Sequence, residues 1–400
     1  MVIGDPGKGV PFSCTRQLYS DQLSTHYVFI SSSVNIALGT LQGSVQPQSG
    51  ASAFAACLMI EIAIITVVLA FAFTFTHGFQ DASSIAATFI ASRSAAPKAG
   101  IIFVAGVSLL GAILGGSAVA FTVSGLLIPP SRDQTVLVLL IALLTATVWN
   151  IITWKFGLPS SSTHSLIGGL IGGGIAAAGI GSIFWGLDEL VSPPYEITGL
   201  VKILFFFVIS ILIGFVGSFL MHKSSGFILR NAKRSANKTI VFFNWCAAAV
   251  MAFSNGANDS QKQLGILALA LFAAGLSTAA EVPLWARITC AILLATGIMS
   301  GGWRIMNTLG HRIFKIEPIH SFDSQFFSSS SLAISTLAGA PVSATQVITM
   351  SVIGVGAAEN PRKVKWSVGM HILIAMIITI PVTMLISAVL YLIISPFTGV

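Results

Sequence analysis

The chain has 400 residues, of which 54% are hydrophobic and 8% are charged, and its formal net charge is +7. Soluble domains carry roughly 25% charged residues, so the composition excludes a soluble globular protein and indicates an all-α polytopic membrane protein. A spanning helix needs about 20 apolar residues, and the length therefore predicts roughly ten or more transmembrane segments.

Composition divides the chain into four regions. Residues 1–55 are rich in Ser, Gly and Gln and are predicted to form an extension outside the functional core. The stretch from His222 to Lys238 holds five Lys or Arg residues and no acid, which predicts a cytoplasmic loop by the positive-inside rule. This loop separates two apolar halves, 56–221 and 239–400. Because basic residues in such short loops set membrane orientation, we expect no nucleic-acid partner.

Apolar runs of about 20 residues predict the membrane-spanning helices. In chain order, the predicted spans lie near 56–76, 100–122, 134–154, 164–184, 198–220, 239–255, 262–276, 286–303, 328–358 and 367–395.

A polar motif follows the first span. It reads THGFQDASS and starts at Thr76, and Gly78 is predicted to break the helix three residues before Asp81. The motif recurs 178 residues later as SNGANDSQK, where Gly256 and Asp259 hold the corresponding positions. A carboxylate at membrane depth is costly and faces a bundle interior or a water-filled path. The alternative is that both aspartates lie in interfacial loops.

A second motif is also duplicated. GLPSSSTH begins at Gly157 and GAPVSATQ begins at Gly339, so Pro159 and Pro341 are predicted to break helices at equivalent points. Two different motifs that recur in the same order, at offsets of 178 and 182 residues, indicate an internal duplication. Duplicated apolar halves with interrupted segments are typical of secondary transporters, whose binding site lies near the bilayer midplane.

The residues after each proline can bind an anion. A helix that begins there presents unpaired N–H groups and its positive dipole end, which suit an oxyanion. Besides the two aspartates, the predicted substrate ligands are Ser161, Ser162, Thr163, Ser343 and Thr345. The alternative is that these hydroxyls cap ordinary helices at the membrane surface.

The carboxylates and their neighbouring amides can bind a small cation through oxygen. The predicted ligands of a coupling cation are Gln80, Asp81, Asn258 and Asp259. A carboxylate can also accept a hydrogen bond from a protonated oxyanion. No resident metal site and no cofactor is predicted, because the four cysteines are scattered and form no Cys/His cluster.

Three basic side chains lie in the motifs. Lys262 is expected to extend toward the membrane interface, with contact to an anionic substrate as the alternative. His77 and His164 are expected to pack or to cap a helix rather than to bind a ligand or relay protons.

These motifs resemble those of the inorganic phosphate transporter (PiT) family. The family carries a G-x-N-D motif in each half, matched by GFQD from Gly78 and by GAND from Gly256. It also carries a P-V-S-T-T-H motif in each half, matched from Pro159 and from Pro341. The resemblance covers residues 56–395. It implies an inverted-repeat fold with broken or re-entrant helices and phosphate bound where the four broken segments converge.

Three residues depart from the family pattern. Gln80 replaces an Asn, Ala344 replaces a Thr and Gln346 replaces the second His. The resemblance implies Na+ or H+ as the coupling ion. The three departures affect what the resemblance implies about the coupling ion and about individual side-chain contacts.

The resemblance implies a secondary active transporter of inorganic phosphate that works by symport with Na+ or H+. We expect a multi-pass protein of the plasma membrane, in contact with the lipid bilayer, and a homodimer is one option for its assembly. A sulfate permease of the same fold is the first alternative. A passive anion channel is another, which predicts flux uncoupled from a cation gradient. An enzyme is not expected, because the motifs contain no spaced catalytic signature.

Overall fold

The structure, a computed structural model, describes residues 50–400 apart from 129–130, 194, 234, 278–281, 301–305, 307–312 and 399–400. For residues 50–60 and 82–84 it describes the backbone but not the side chains. The chain divides into two units between Ala55 and Ala56. The extension predicted over residues 1–55 therefore lies almost wholly outside the described residues, and both duplicated motifs lie in the second unit.

The described residues are almost entirely helical, and β-pairing among them is limited to one isolated bridge between Leu127 and Ile183. The α-helices are, in chain order, α1 Gly50–Ala91, α2 Pro97–Leu114, α3 Ala118–Ser124, α4 Arg132–Phe156, α5 Ser162–Ala178, α6 Asp188–Val191, α7 Gly199–Leu212, α8 Ser218–Ile228, α9 Ala236–Ala273, α10 Leu284–Ser300, α11 Pro318–Leu337, α12 Ala344–Glu359 and α13 Trp366–Thr398. A π-helical turn, Ile213–Gly217, joins α7 to α8.

Several helical stretches are suited to cross a bilayer. Within the described residues, six are long and apolar enough: Glu61–Ala91, Pro97–Leu114, Arg132–Phe156, Gly199–Ile228, Ala236–Ala273 and Trp366–Thr398. These helices confirm the predicted all-α, multi-pass membrane class. The total of roughly ten or more spans remains a prediction.

Several stretches differ from the spans predicted along the chain. The predicted span 100–122 is two helices, α2 and α3, which are separated by residues 115–117. The predicted spans 239–255 and 262–276 form the single helix α9, because the polar motif between them is helical and buried. The predicted span 328–358 is instead two helices, α11 and α12, which are separated by residues 338–343. The polar motif was thus helical where an interruption was expected, whereas the predicted span 328–358 is interrupted at Pro341, where the second motif predicted a helix break.

The interruptions before α5 and α12 have matching backbones. Gly157, just after α4, has φ of 65°, and Gly339 has φ of 70° at the corresponding place. Ser161 then caps α5 with φ −103° and ψ 114°, and Ser343 caps α12 with φ −96° and ψ 113°. Glycine adopts positive φ at little steric cost, so the paired glycines allow the chain to turn identically at both places.

Helices α5 and α12, which follow these interruptions, lie in the interior. All residues of α5 from Ser162 to Gly174 are buried, and so are those of α12 from Ala344 to Ala358 except Met350. A helix that is apolar on every side is suited to such a position. The two helix starts that carry the second motif are therefore enclosed by other helices rather than placed at the surface.

The helix breaks predicted at Gly78 and Gly256 are absent, because α1 and α9 pass through both glycines without interruption. The glycines allow close helix contacts instead. A Cβ atom at Gly78 would overlap the carbonyl oxygen of Leu294 in α10, and one at Gly256 would overlap that of Ser108 in α2. Small residues at such contacts are typical of helix packing in membranes.

Gly256→Ala is expected to lower the unfolding temperature of the detergent-solubilised protein. The added methyl group would collide with the backbone of α2, and overpacking of this kind costs about 1–3 kcal/mol. Gly106→Ala is the matched control, because a Cβ atom at Gly106 in α2 meets nothing within 4 Å. Alanine is the better helix former, so this control should unfold at the same temperature or slightly higher. Equal destabilisation of the two variants would contradict the proposed contact.

Candidate functional site

The first polar motif lies inside α1. His77, Gln80 and Asp81 are three and four residues apart, so they share one face of the helix. All three are buried, and Asp81, at 4% exposure, is the most exposed of them. The second motif lies inside α9, where Asn258 and Asp259 are both fully buried. The alternative of interfacial loops is therefore wrong for both motifs.

The amide of Gln80 holds the interruption between α4 and α5. Its nitrogen donates to the hydroxyl of Ser160 at 2.6 Å and to that of Thr153 at 3.2 Å. Its oxygen accepts from the hydroxyl of Ser162, at the start of α5, at 3.1 Å. Because an interruption leaves backbone and hydroxyl groups without helical partners, the amide stabilises this segment inside the protein.

Asn258 plays the same part in the second half. Its nitrogen donates to the hydroxyl of Thr336 at 2.9 Å and to the carbonyl oxygen of Ala340 at 3.1 Å. Its oxygen accepts from the backbone N–H of Val342 at 3.3 Å. Each amide therefore holds the interruption of its own half. Their predicted role as cation ligands is not tested by these contacts and stays a prediction.

The carboxylate of Asp81 reaches across to the other half. Its Oδ1 accepts from the hydroxyl of Thr345, in the first turn of α12, at 3.0 Å. Its Oδ2 lies 2.6 Å from Nε2 of His77. The contact with Thr345 joins the first copy of one motif to the second copy of the other.

The carboxylate of Asp259 is oriented toward the same region. Its Oδ1 accepts from Nζ of Lys262 at 2.7 Å and lies 3.5 Å from Nε2 of His77. Its Oδ2 is buried and has no hydrogen-bond partner among the described residues. An unpaired buried carboxylate oxygen is costly, so this atom marks a position where a hydrogen-bond donor would be stabilised.

The expectation that Lys262 extends to the interface is wrong. Its side chain is fully buried and its Nζ also donates to the hydroxyl of Thr163 at 2.7 Å and to the carbonyl oxygen of Val342 at 2.6 Å. A buried ammonium is stable only when it is paired and hydrogen-bonded, and the paired carboxylate three residues earlier in the helix meets this need.

His77 also belongs to the site rather than to the surrounding packing. Its Nδ1 lies 2.7 Å from the side-chain amide of Gln263. We assign the amide oxygen to the side that faces the ring, because in the opposite assignment this oxygen would face only acceptors. The ring nitrogen Nδ1 then donates to Gln263, and Nε2 faces Asp81. His164 instead packs on Phe207 and contacts the carbonyl oxygen of Met376.

Of the five predicted hydroxyl ligands, Ser162 donates to the amide oxygen of Gln80, and the other four divide into two groups. Ser161 and Ser343 act as helix caps and accept from the backbone N–H three residues later, at 3.2 and 3.4 Å. Capping was the alternative interpretation of these hydroxyls, although both serines are buried rather than at the surface. Thr163 and Thr345 contact Lys262 and Asp81, so these two hydroxyls lie at the charged centre of the site.

Among the residues that the structure describes, two groups of side chains are close enough to share a metal ion. His77, Asp81 and Asp259 each offer one ligand atom, and these atoms lie within 4.8 Å of one another. The second group, made of His222, His320 and Glu359, has the same spacing. No resident metal was predicted from the sequence for either group.

Sequence reasoning missed the placement of His77, Lys262 and Gln263. The available signal was helical spacing: residues three and four apart on a helix are neighbours. His77 precedes Asp81 by four residues and Lys262 follows Asp259 by three. The motifs were interpreted as broken segments, so this spacing was not applied to them.

Comparisons with known proteins agree on the fold and the family. The sequence profile described as "Phosphate transporter family" matches residues 77–387. A protein of Rhizobium meliloti, described as "Probable low-affinity inorganic phosphate transporter", is 36% identical over 84% of this chain and 97% of its own length. A protein of Bacillus subtilis with the same description is 31% identical over 84% of this chain and 98% of its own.

A solved structure is also similar. It is described as "The sodium-dependent phosphate transporter" and superposes with a TM-score of 0.75 over 84% of this chain and 99% of its own. Its sequence is 22% identical to this chain, so the likeness establishes the shared fold.

Proposed function

The chain belongs to the phosphate transporter family, and from that premise we propose that it is a secondary active transporter of inorganic phosphate that works by symport with Na+ or H+. The family consists of transporters, so the chain is not an enzyme. We also propose that it resides in the plasma membrane and that phosphate binds at the start of α5 and α12. The proposed ligands are Asp81, Ser161, Ser162, Thr163, Asp259, Ser343 and Thr345.

The observation that carries the proposal is the unpaired Oδ2 of Asp259. This oxygen is buried, and Asp259 is linked through Lys262 to Thr163, at the start of α5, and to Val342, just before α12. The N–H groups and positive dipole ends of these helix starts favour an anion. Hydrogen phosphate can donate its P–OH hydrogen to this oxygen while its other oxygens accept from the helix starts. The substrate would thereby supply the hydrogen bond that the carboxylate lacks.

The same oxygen argues against sulfate. Sulfate carries no proton near pH 7, so it would bring four acceptors toward a carboxylate that requires a donor. A buried pair of facing acceptors is destabilising. A sulfate permease therefore remains the second candidate, disfavoured by this contact.

The burial of the site supports a carrier rather than an open channel. His77, Asp81 and Asp259 are at most 4% exposed. Substrate can reach such a site only when the surrounding helices move. Alternating access, in which one repeat rocks against the other around a fixed site, would provide that movement.

We propose that the two halves are inverted repeats, 56–221 and 239–400, joined by the cytoplasmic segment 222–238. The matching backbone angles at the paired glycines and serines support a duplication. So do the equivalent contacts of Gln80 and Asn258. Helices α8 and α9 extend into the joining segment from both sides, to Ile228 and from Ala236.

Uptake by the purified protein in liposomes tests the proposal. With labelled phosphate outside and an inward gradient of Na+ or of H+, we expect phosphate to accumulate above its external concentration under at least one gradient. Arsenate, which also carries a proton near pH 7, should compete, whereas a tenfold excess of sulfate should not. Uptake that stops at equal concentrations under both gradients would indicate a channel. Accumulation of labelled sulfate would favour the second candidate.

A further inference from the structure

Lys262 is a fully buried cation in the second half of the protein. Its Nζ donates to Asp259 Oδ1 at 2.7 Å, to Thr163 Oγ1 at 2.7 Å and to the carbonyl oxygen of Val342 at 2.6 Å. An ammonium group has three protons, and each of them has a short hydrogen bond. The positive charge is therefore held at one defined point.

The oxygens around this point come from both halves. Thr163 lies in the first turn of α5, Val342 lies in the interruption before α12, and Asp259 lies in α9. Unwound backbone carbonyls beside broken helices are the groups that coordinate Na+ in many secondary transporters, and carboxylates and hydroxyls are hard oxygen ligands as well. The ammonium thus occupies a position whose surrounding oxygens have the chemistry of a monovalent-cation site.

The first half is built differently. When the two copies of the first motif are aligned in sequence, Ser84 corresponds to Lys262. Asp81 accepts directly from Thr345 across the halves, whereas Asp259 is joined to the equivalent Thr163 through the lysine. The second carboxylate is therefore bridged to the opposite helix start by a cation that belongs to the chain.

We propose that the Lys262 ammonium is a built-in cation that takes the place of a dissociable Na+ at Asp259, so that this protein transports phosphate without Na+. The inference rests on the proposed function and specifies its coupling, since H+ is then the remaining candidate for the coupling ion. Lys262 is in this sense the residue that determines cation specificity at this site.

Electrostatics explains why one cation excludes the other. A Na+ ion bound to the same three oxygens would lie in contact with the ammonium, and like charges in a buried site are weakly screened. If the amine is removed, the carboxylate, the hydroxyl and the carbonyl remain around the space that the side chain filled. Truncation of Lys262 is therefore expected to create a Na+ site.

Lys262→Ala tests the proposal directly. Labelled phosphate uptake into proteoliposomes would be measured under an inward H+ gradient, in either Na+ or choline buffer at equal ionic strength. Wild-type uptake should be the same in both buffers. In choline buffer, the uptake rate of Lys262→Ala should be lower than that of the wild type by about tenfold or more, because the variant loses a buried charge partner. In Na+ buffer, much of this lost uptake should return.

Two variants serve as controls. Lys262→Met removes the charge but fills most of the same space, so its uptake should be low in both buffers. Lys238→Ala removes an exposed lysine at the start of the same helix and should behave as wild type. The thermal unfolding of each purified variant would be measured with and without Na+. Na+ should raise the unfolding temperature of Lys262→Ala and leave that of the wild type and Lys262→Met unchanged.

Three results would overturn the inference: wild-type uptake that requires Na+, Lys262→Ala uptake that Na+ does not restore, or equal restoration of Lys262→Met. If Lys262→Ala does not fold, the wild-type comparison in the two buffers still decides whether Na+ is needed. Failure of the proposed function is distinguishable, because the wild type would then accumulate no phosphate under any gradient. The Na+-dependent thermal shift of Lys262→Ala would still report on the cation site.

Discussion

Asp259→Asn is expected to abolish phosphate uptake and to destabilise the protein. The substitution removes the carboxylate that pairs with the buried ammonium of Lys262, and breaking a buried ion pair costs about 3–5 kcal/mol. It also replaces one of the two carboxylate oxygens with an amide nitrogen, so the side chain no longer has one acceptor oxygen for Lys262 and a second for a protonated oxyanion. The initial rate of uptake in proteoliposomes and the unfolding temperature in detergent would measure the two effects.

A double variant separates the two effects of this substitution. Asp259→Asn combined with Lys262→Met removes both charges, so most of the lost stability should return while uptake stays absent. Asp133→Asn, at an exposed aspartate in the first turn of α4, is the control for charge loss alone and should transport normally. Near-normal uptake by Asp259→Asn in well-folded protein would remove this residue from the proposed site.

Asp81→Asn is also expected to abolish uptake, but with a smaller loss of stability. The asparagine oxygen can still accept from the hydroxyl of Thr345, so the contact across the halves can persist. His77 also keeps a second carboxylate neighbour, because its Nε2 lies 3.5 Å from Oδ1 of Asp259. What is lost is one of the two carboxylates that are proposed to bind the substrate.

Stability and transport measured together make this second prediction specific. Asp81→Asn should lose uptake while its unfolding temperature falls by less than that of Asp259→Asn. Asp188→Asn, at another exposed aspartate, is the matched control. Transport by Asp81→Asn at the wild-type rate would show that the first carboxylate has no part in the reaction cycle. An equal loss of stability in both variants would contradict the assignment of the buried ion pair to Asp259.

The sequence predicted those parts of the site that depend on residue type and repetition. The two aspartates and the two hydroxyl-rich segments, each repeated in order, identified part of the set of residues that the structure brings together. Thr163 and Thr345 lie at the charged centre, and Gln80 and Asn258 contact the interruptions. Residue chemistry and spacing within each half carry this information, so no tertiary structure was needed.

Other features depend on tertiary contacts that a sequence pattern does not show. Gly78 and Gly256 were predicted to break helices, because glycine is permissive in backbone conformation. Glycine serves equally well where two helices touch, and only the neighbouring Leu294 and Ser108 show which use applies. Lys262 was placed at the interface for a similar reason. A lysine on an apolar helix usually reaches water, and its three partners come from distant parts of the chain.

The contact between Asp81 and Thr345 joins residues that are 264 positions apart, and this separation has a consequence for biosynthesis. At a translation rate of 5–20 residues per second, roughly 10–50 s pass between the appearance of the aspartate and that of its partner. During this interval the first half has its carboxylate in place without the hydroxyl that accompanies it in the finished protein. The nascent first half must therefore stay hydrated or be shielded by the insertion machinery until the second half arrives.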